Sequence, residues 1–140
     1  MKILILGGDG MIGHKMAQFL SVQNHEVVIS VREKKELTLK RILPKVKVFF
    51  NDFLKDNILD FLDKVNPDII INAIGITTRR GVTENISDTI YFNSLFPHQL
   101  SNWALAFKKR LIQSPPMIEQ SYVQSFHQHQ ELRFSLFIAY

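Results

Sequence analysis

Apolar positions follow two rhythms along the first half of the chain. Lys2–Leu6 is an Ile/Leu run closed by Gly7, Gly8 and Asp9, which predicts a strand buried on both faces. From Ile12 the period lengthens, and Ile12, Met16, Phe19 and Leu20 fall on one side of a helix. Glu26–Val31 is strand-like again. Residues 32–45 are charged and predict a short helix before Pro44, and Val46–Phe50 predicts a third strand. Leu54, Ile58, Phe61, Leu62 and Val65 mark a second helix face. Asn66–Pro67 stops that helix, because the residue before proline avoids the α region. Asp68–Ala73, nearly all Ile, predicts a fourth strand.

Strands covered on both faces lose the alternation of inward and outward residues and become continuous apolar runs, as these do. The pattern therefore predicts an α/β fold: a Rossmann-type, doubly wound parallel sheet in the order 3-2-1-4. A helical segment of about Asp88 to Phe107 follows, with Ile90, Leu100, Trp103, Ala104 and Phe107 on its core side. Pro97 lies inside it and predicts a kink or an interruption. Arg110–Gln113 predicts the start of a fifth strand, which Pro115–Pro116 breaks. Residues 114–140 lack Gly and Asp and are marked by Gln120, Gln124, Gln128 and Gln130. Leu132, Phe134, Leu136, Ile138 and Tyr140 alternate, as in a strand. The expected organisation is an incomplete dinucleotide-binding domain over 1–112 and a divergent, irregular tail over 113–140. That change suggests a frame shift near residue 113, an early stop or a truncated gene. A sheet cut this way exposes an apolar edge, which predicts self-association unless Glu131–Tyr140 covers it.

A length of 140 residues and a hydrophobic fraction of 46% suit one globular core. Cysteine is absent, which excludes disulfides and thiolate zinc sites and suits the cytoplasm. No stretch reaches the length of a membrane span or has the make-up of a signal peptide. The net charge of +4 is spread over small groups (Lys34–Lys35, Lys40–Arg41, Arg79–Arg80, Lys108–Arg110), which read as solvated faces. Neither a basic stripe with interleaved aromatics nor a known module points to nucleic acid. His98, His127 and His129 lack the spacing of a metal site.

The chemistry is concentrated in Gly7-Gly8-Asp9-Gly10-Met11-Ile12-Gly13, placed between a predicted strand and a predicted helix. Gly7 permits a tight turn. Gly10 lets backbone N–H groups come close to a pyrophosphate, and Gly13 lets the helix pack on the strand. The helix start, through Met11, Ile12 and Gly13, supplies unpaired N–H donors to phosphate. NAD-preferring folds place an acid at the end of the second strand to accept from the ribose 2′-OH. Here the position carries Val31–Arg32, and Arg can clamp a 2′-phosphate with a forked pair of donors. NADP(H) is therefore favoured over NAD(H), the alternative being an exposed Arg32 with Glu33 in the acid's role. Asp52 is placed to accept from an adenine amino group with Phe53 near the ring, and Asn51 or Asp52 equally suits a helix N-cap. Ala73, Ile74, Gly75, Ile76 and Thr77 leave the fourth strand with small residues, across which a ribose and a nicotinamide can lie. Ligands of open α/β sheets bind beyond the carboxyl ends of the strands, which gathers these segments on one edge.

Four segments in order resemble the extended short-chain dehydrogenase/reductase family, and within it the dTDP-4-dehydrorhamnose reductase branch. They are Met1–Met16, the pair Asp52–Phe53, Pro67–Thr78 (PDIIINAIGITT) and Tyr91–Ala104 (YFNSLFPHQLSNWA). The resemblance covers residues 1–112 and implies that Asn93 lies near the nicotinamide. It implies NADPH-dependent reduction of the C4 carbonyl of a dTDP-linked 4-keto-6-deoxy sugar, with a Tyr-x-x-x-Lys pair supplying the proton. The chain departs from that pattern. Tyr91 is followed four residues on by Leu95, Tyr122 by Phe126, and Tyr140 is the last residue. No residue is therefore expected to be catalytic, and slow or no turnover is expected. Other readings stay open: a sugar-nucleotide epimerase or dehydratase relative, a non-catalytic dinucleotide-binding or regulatory module, and, last, a basic nucleic-acid binder.

Overall fold

A computed structural model of the chain describes residues 1–32, 43–76, 85–114 and 138–139. Its elements are β1 (Lys2–Leu6), α1 (Met11–Ser21), β2 (Glu26–Val31), β3 (Lys47–Phe50), α2 (Ile58–Val65) and β4 (Ile69–Asn72). They continue with α3 (Ile86–Ile90), a π-helical turn (Tyr91–Leu95), α4 (Phe96–Ala106), β5 (Arg110–Gln113) and the two-residue β6 (Ile138–Ala139). The sheet order is β3-β2-β1-β4-β5-β6. Its first five strands are parallel, and β6 runs antiparallel to β5, Ile138 opposite Ile112. This is the Rossmann-type order expected, extended by the fifth strand. Of the alternating stretch 132–140, only β6 lies among the described residues, and it pairs along the outer edge of β5. The short helix expected within 32–45 falls largely outside them.

The uninterrupted apolar runs divide between the two faces of the sheet. Leu4, Leu6, Val28 and Ile70 face one cluster, with Ile58, Phe61, Leu62 and Val65 of α2 and Phe96, Leu100, Trp103 and Ala104 of α4. Ile3, Ile5, Val27, Ile29, Val31 and Ile71 face the other, with Ala17 of α1 and Leu43 and Val46. Each fully buried Leu or Ile contributes about 1.5–3 kcal/mol, so neither face can be left open. Trp103 Nε1 also donates to Asp63 Oδ1 at 2.7 Å, which ties α4 to α2.

Three expectations are corrected. The buried line of α1 is Gly13 and Ala17, while Ile12 is 38% and Phe19 63% exposed. Close approach of the helix to the glycine turn selects small residues, so only Met16 and Leu20 of the expected face pack against the core. The second helix starts at Ile58 rather than near Leu54, and its N-cap is Asn57, whose side chain accepts from Leu59 N. Residues 53–56 form a turn instead: Lys55 N and Asp56 N both donate to the Asp52 carbonyl. Ile90 and Phe107, expected in the core, are 60% and 55% exposed. The π-helical turn resets the helix phase after Ile90 and buries Phe92 and Phe96 instead, while Phe107 is the C-cap beyond the last turn of α4. Pro97 explains that turn: it has no N–H for the carbonyl of Asn93, and Phe96 N reaches back to Tyr91 O.

Candidate functional site

The C-terminal edge of the sheet is built by backbone hydrogen bonds between strands as they end. Gly7 N and Gly8 N both donate to the Ser30 carbonyl at 3.0 Å, Asn51 N to Val31 O at 3.0 Å, and Ala73 N to Leu6 O at 3.0 Å. Gly7 turns the chain with φ +79°, a left-handed conformation that disfavours any residue with a Cβ. A Cβ at Gly8 would stand 2.7 Å from Ile29 Cβ, and one at Gly13 would collide with the Gly7 carbonyl. The glycines are thus required by one another: the turn after β1 and the first turn of α1 occupy the same space. Gly13 packs on the turn itself, not on the body of the strand.

Gly10 is the N-cap of α1, with φ −75° and ψ 162°. No side chain caps this end and no acidic residue stands in its first turn. His14 N is the first to close a helical bond, to Gly10 O at 2.9 Å. The N–H groups of Met11, Ile12 and Gly13 therefore have no intrahelical partner, and they carry the positive end of the helix dipole.

Above this end lies an open cleft of about 180 Å³. Its lining joins the glycine turn (Gly7, Asp9, Gly10), the end of β2 (Ser30, Val31, Arg32), the end of β3 (Asn51, Asp52, Phe53) and the exit of β4 (Ala73, Ile74, Gly75, Ile76), with Phe92. The structure brings together nine of the sequence-predicted residues: Gly7, Gly10, Arg32, Asp52, Phe53, Ala73, Ile74, Gly75 and Ile76. Met11, at 70% exposure, and Ile12 keep their side chains out of the cleft, so only their backbone N–H groups can serve it. Thr77, Glu33, Arg79–Arg80 and His127–His129 lie outside the described residues.

Several side chains differ in setting from what their spacing suggests. Phe53 is 4% exposed and packs on Phe61 and Phe96, ring centres 5.6 and 5.5 Å away. It is a wall of the core with one edge on the cleft. Asp52 is partly occupied by its own turn: Oδ1 accepts from Leu54 N at 3.3 Å and Oδ2 pairs with Lys55 Nζ at 3.5 Å. Asn93 does not line the cleft. Its Oδ1 accepts from Ile76 N at 2.9 Å and its Nδ2 donates to Ile76 O at 2.8 Å. It holds the cleft wall by both backbone groups of one residue.

Ser30 was missed by sequence reasoning, and Asn51, read there as a helix N-cap, lines the cleft instead, the cap being Asn57. Ser30 is 1% exposed, with its Oγ 3.5 Å from Asn51 Oδ1. The available signal was a lone hydroxyl in the Val/Ile run of Glu26–Val31. Tyr91 is the one tyrosine among the described residues. Burial pushes its hydroxyl pKa up, away from what a general acid at neutral pH needs, and it does not line the cleft.

The model of the NAD dependent epimerase/dehydratase family matches residues 3–115. Solved structures share the fold. UDP-glucose 4-epimerase from Bifidobacterium longum, in complex with NAD+ and UDP, aligns with TM-score 0.72 and 16% identity over 99% of this chain and 43% of its own. A hypothetical dTDP-4-dehydrorhamnose reductase from Sulfolobus tokodaii aligns with TM-score 0.65 and 21% identity over 81% of this chain and 38% of its own. PbgP3 from Burkholderia pseudomallei aligns with TM-score 0.66 and 18% identity over 80% of this chain and 38% of its own. The chain thus spans less than half the length of each of these. No curated protein matches it. No helix among the described residues is long and apolar enough to cross a membrane.

Proposed function

The chain belongs to the NAD dependent epimerase/dehydratase family, and on that premise we propose that its cleft holds the ADP-ribose half of a nicotinamide dinucleotide, NADP(H) in preference to NAD(H). The observation that carries this is the uncapped start of α1 facing a cleft whose floor is glycine. The N–H groups of Met11, Ile12 and Gly13 are donors without partners, and Gly7 and Gly10 keep side chains out of their way. A pyrophosphate is the group of matching charge and size. Arg32, exposed on the cleft at the end of β2, meets a ribose 2′-phosphate. Asp52 and Asn51, with the edge of Phe53, receive the adenine. Ala73, Ile74, Gly75, Ile76 and Thr77 carry the distal ribose and the nicotinamide, with Asn93 holding that wall.

The dinucleotide, when bound, supplies hydride from its nicotinamide. We assign the parent reaction to reduction of a dTDP-linked 4-keto-6-deoxy sugar, with the sugar nucleotide as second partner. The four resembling segments and the likeness to the Sulfolobus tokodaii protein support this assignment. The fit to the Bifidobacterium longum epimerase over 99% of the chain favours a second reading, epimerisation of a sugar nucleotide. In either reading 1–112 is the dinucleotide-binding unit and 113–140 a divergent tail, and a cytoplasmic setting goes with both. β6 pairs with Leu111 and Ile112 of β5, so the apolar edge on which self-association was expected is covered there, and the chain is expected to sediment as a monomer.

This chain contains no Tyr-x-x-x-Lys, so binding without effective turnover is expected. NADPH consumption with dTDP-4-dehydrorhamnose checks this. Saturable NADPH binding with negligible consumption supports the reading. Turnover at rates of about 1 s⁻¹ or more, typical of complete enzymes, overturns the catalytic part of it.

A further inference from the structure

A polar network where β4 and β5 leave the sheet has no part in the scheme above. Asn72, the last residue of β4, is 0% exposed. Its Nδ2 donates to Gln113 Oε1 at 2.9 Å, and Gln113 is its register partner on β5. Its Oδ1 accepts from Ile74 N at 3.1 Å. Gln113 Nε2 donates in turn to the Ser114 carbonyl at 2.9 Å, and Ser114 N donates to the Asn72 carbonyl at 2.9 Å. The ring closes on itself, so each amide has one orientation that satisfies it.

That orientation reaches the cleft. A buried amide has two ends, and Gln113 fixes which end of Asn72 faces which way. With Nδ2 held across the sheet, Oδ1 is turned toward Ile74 N. Ile74 belongs to the cleft wall, beside the turn at Gly7, where a Cβ would stand 3.1 Å from Ile74 Cγ1. Asn93 holds the same wall two residues on, at Ile76. Between the two anchors Gly75 is exposed on the cleft.

We propose that Gln113 is a positioning residue for the distal, nicotinamide-ribose half of the dinucleotide, acting through Asn72 on the Ala73–Ile76 wall. The inference rests on the dinucleotide reading above. Removing the acceptor at 113 leaves a buried donor unpaired, and Asn72 recovers a partner only by releasing Ile74 N. The glycine turn and Arg32 hold the ADP half without help from this network.

The test is titration of the full chain and its Gln113→Met variant with ADP and with NADPH, with circular dichroism to confirm folding. Loss of one net hydrogen bond predicts about three- to tenfold weaker NADPH binding in Q113M, with ADP affinity unchanged. Gln113→Ala replaces Q113M if that variant does not fold. Equal NADPH affinity in variant and parent overturns the proposal. So does a parallel loss of ADP and NADPH, which marks a general structural effect. If the parent chain itself binds neither ligand, the dinucleotide reading fails first and the role of Gln113 with it.

Discussion

At the scale of single residues, the site is defined by what cannot be added to it. Gly13 has no room for a Cβ because the Gly7 carbonyl is there. Gly13→Val is expected to destabilise the chain by about 1–3 kcal/mol, the range of overpacking in a closed core. It should also remove dinucleotide binding, because the helix start shifts off the turn. Urea unfolding reads the first effect and titration with NADPH the second; unchanged stability would contradict the packing. Arg32 tests the cofactor choice. It is exposed, so its loss should leave the fold intact. Charge-assisted hydrogen bonds are worth about 1.5–3 kcal/mol, so Arg32→Ala should weaken NADPH binding roughly ten- to a hundredfold while NADH binding holds. Equal weakening of both would remove the 2′-phosphate role.

At the scale of elements, the sheet edge is held by a few side chains that bridge strands and helices. Asn93 sits in the π-helical turn and makes two bonds to Ile76. Asn93→Ala frees a part-buried N–H and C=O together, and should cost about 1–3 kcal/mol in urea unfolding. At the opposite edge, Asp68 accepts from Lys2 N at 2.8 Å and pairs with Lys109 Nζ at 3.6 Å, joining the starts of β4, β1 and β5. The Lys2 backbone bond, and then Lys109, hold its carboxyl below the ordinary carboxylate range. A depressed folded value means the contribution is present above the unfolded value of about 3.9 and is lost as pH falls through the folded one. Acid unfolding of Asp68→Asn should therefore depend less on pH below about 4 than that of the parent. An identical pH dependence would show that the pairing contributes nothing.

The elements also show where sequence reading succeeds. Runs such as Lys2–Leu6 and Glu26–Val31 are legible because double burial leaves only apolar residues, and both strands have the bounds their patterns predict. Ile12 and Phe19 mislead because periodicity counts large residues, whereas the approach of α1 to the glycine turn is set by small ones. Ile90 misleads because a π-helical turn separates it in phase from Leu100, Trp103 and Ala104, and Phe107 because the helix ends at Ala106 and leaves it as the C-cap. At the site, the glycines and the β4 exit were legible as a motif. Ser30 and the Asn72–Gln113 pair were not, since cross-strand side-chain bonds depend on register and leave no spacing in the sequence.

At the scale of the whole molecule, the strand ends converge on one edge. The end of β2 and the residues that follow β1, β3 and β4 line the same cleft, and helices cover both sheet faces behind it. The fold thus gathers segments spread over residues 7–92 into the one cleft proposed to hold a dinucleotide, without calling on a catalytic tyrosine. Binding, not turnover, is the property this chain should retain. Isothermal titration of the folded chain with NADPH, NADH and ADP-ribose tests that most directly. Saturable one-site binding is expected for all three, tightest for NADPH. A folded chain giving no binding heat with any of them, at several temperatures, would contradict the account.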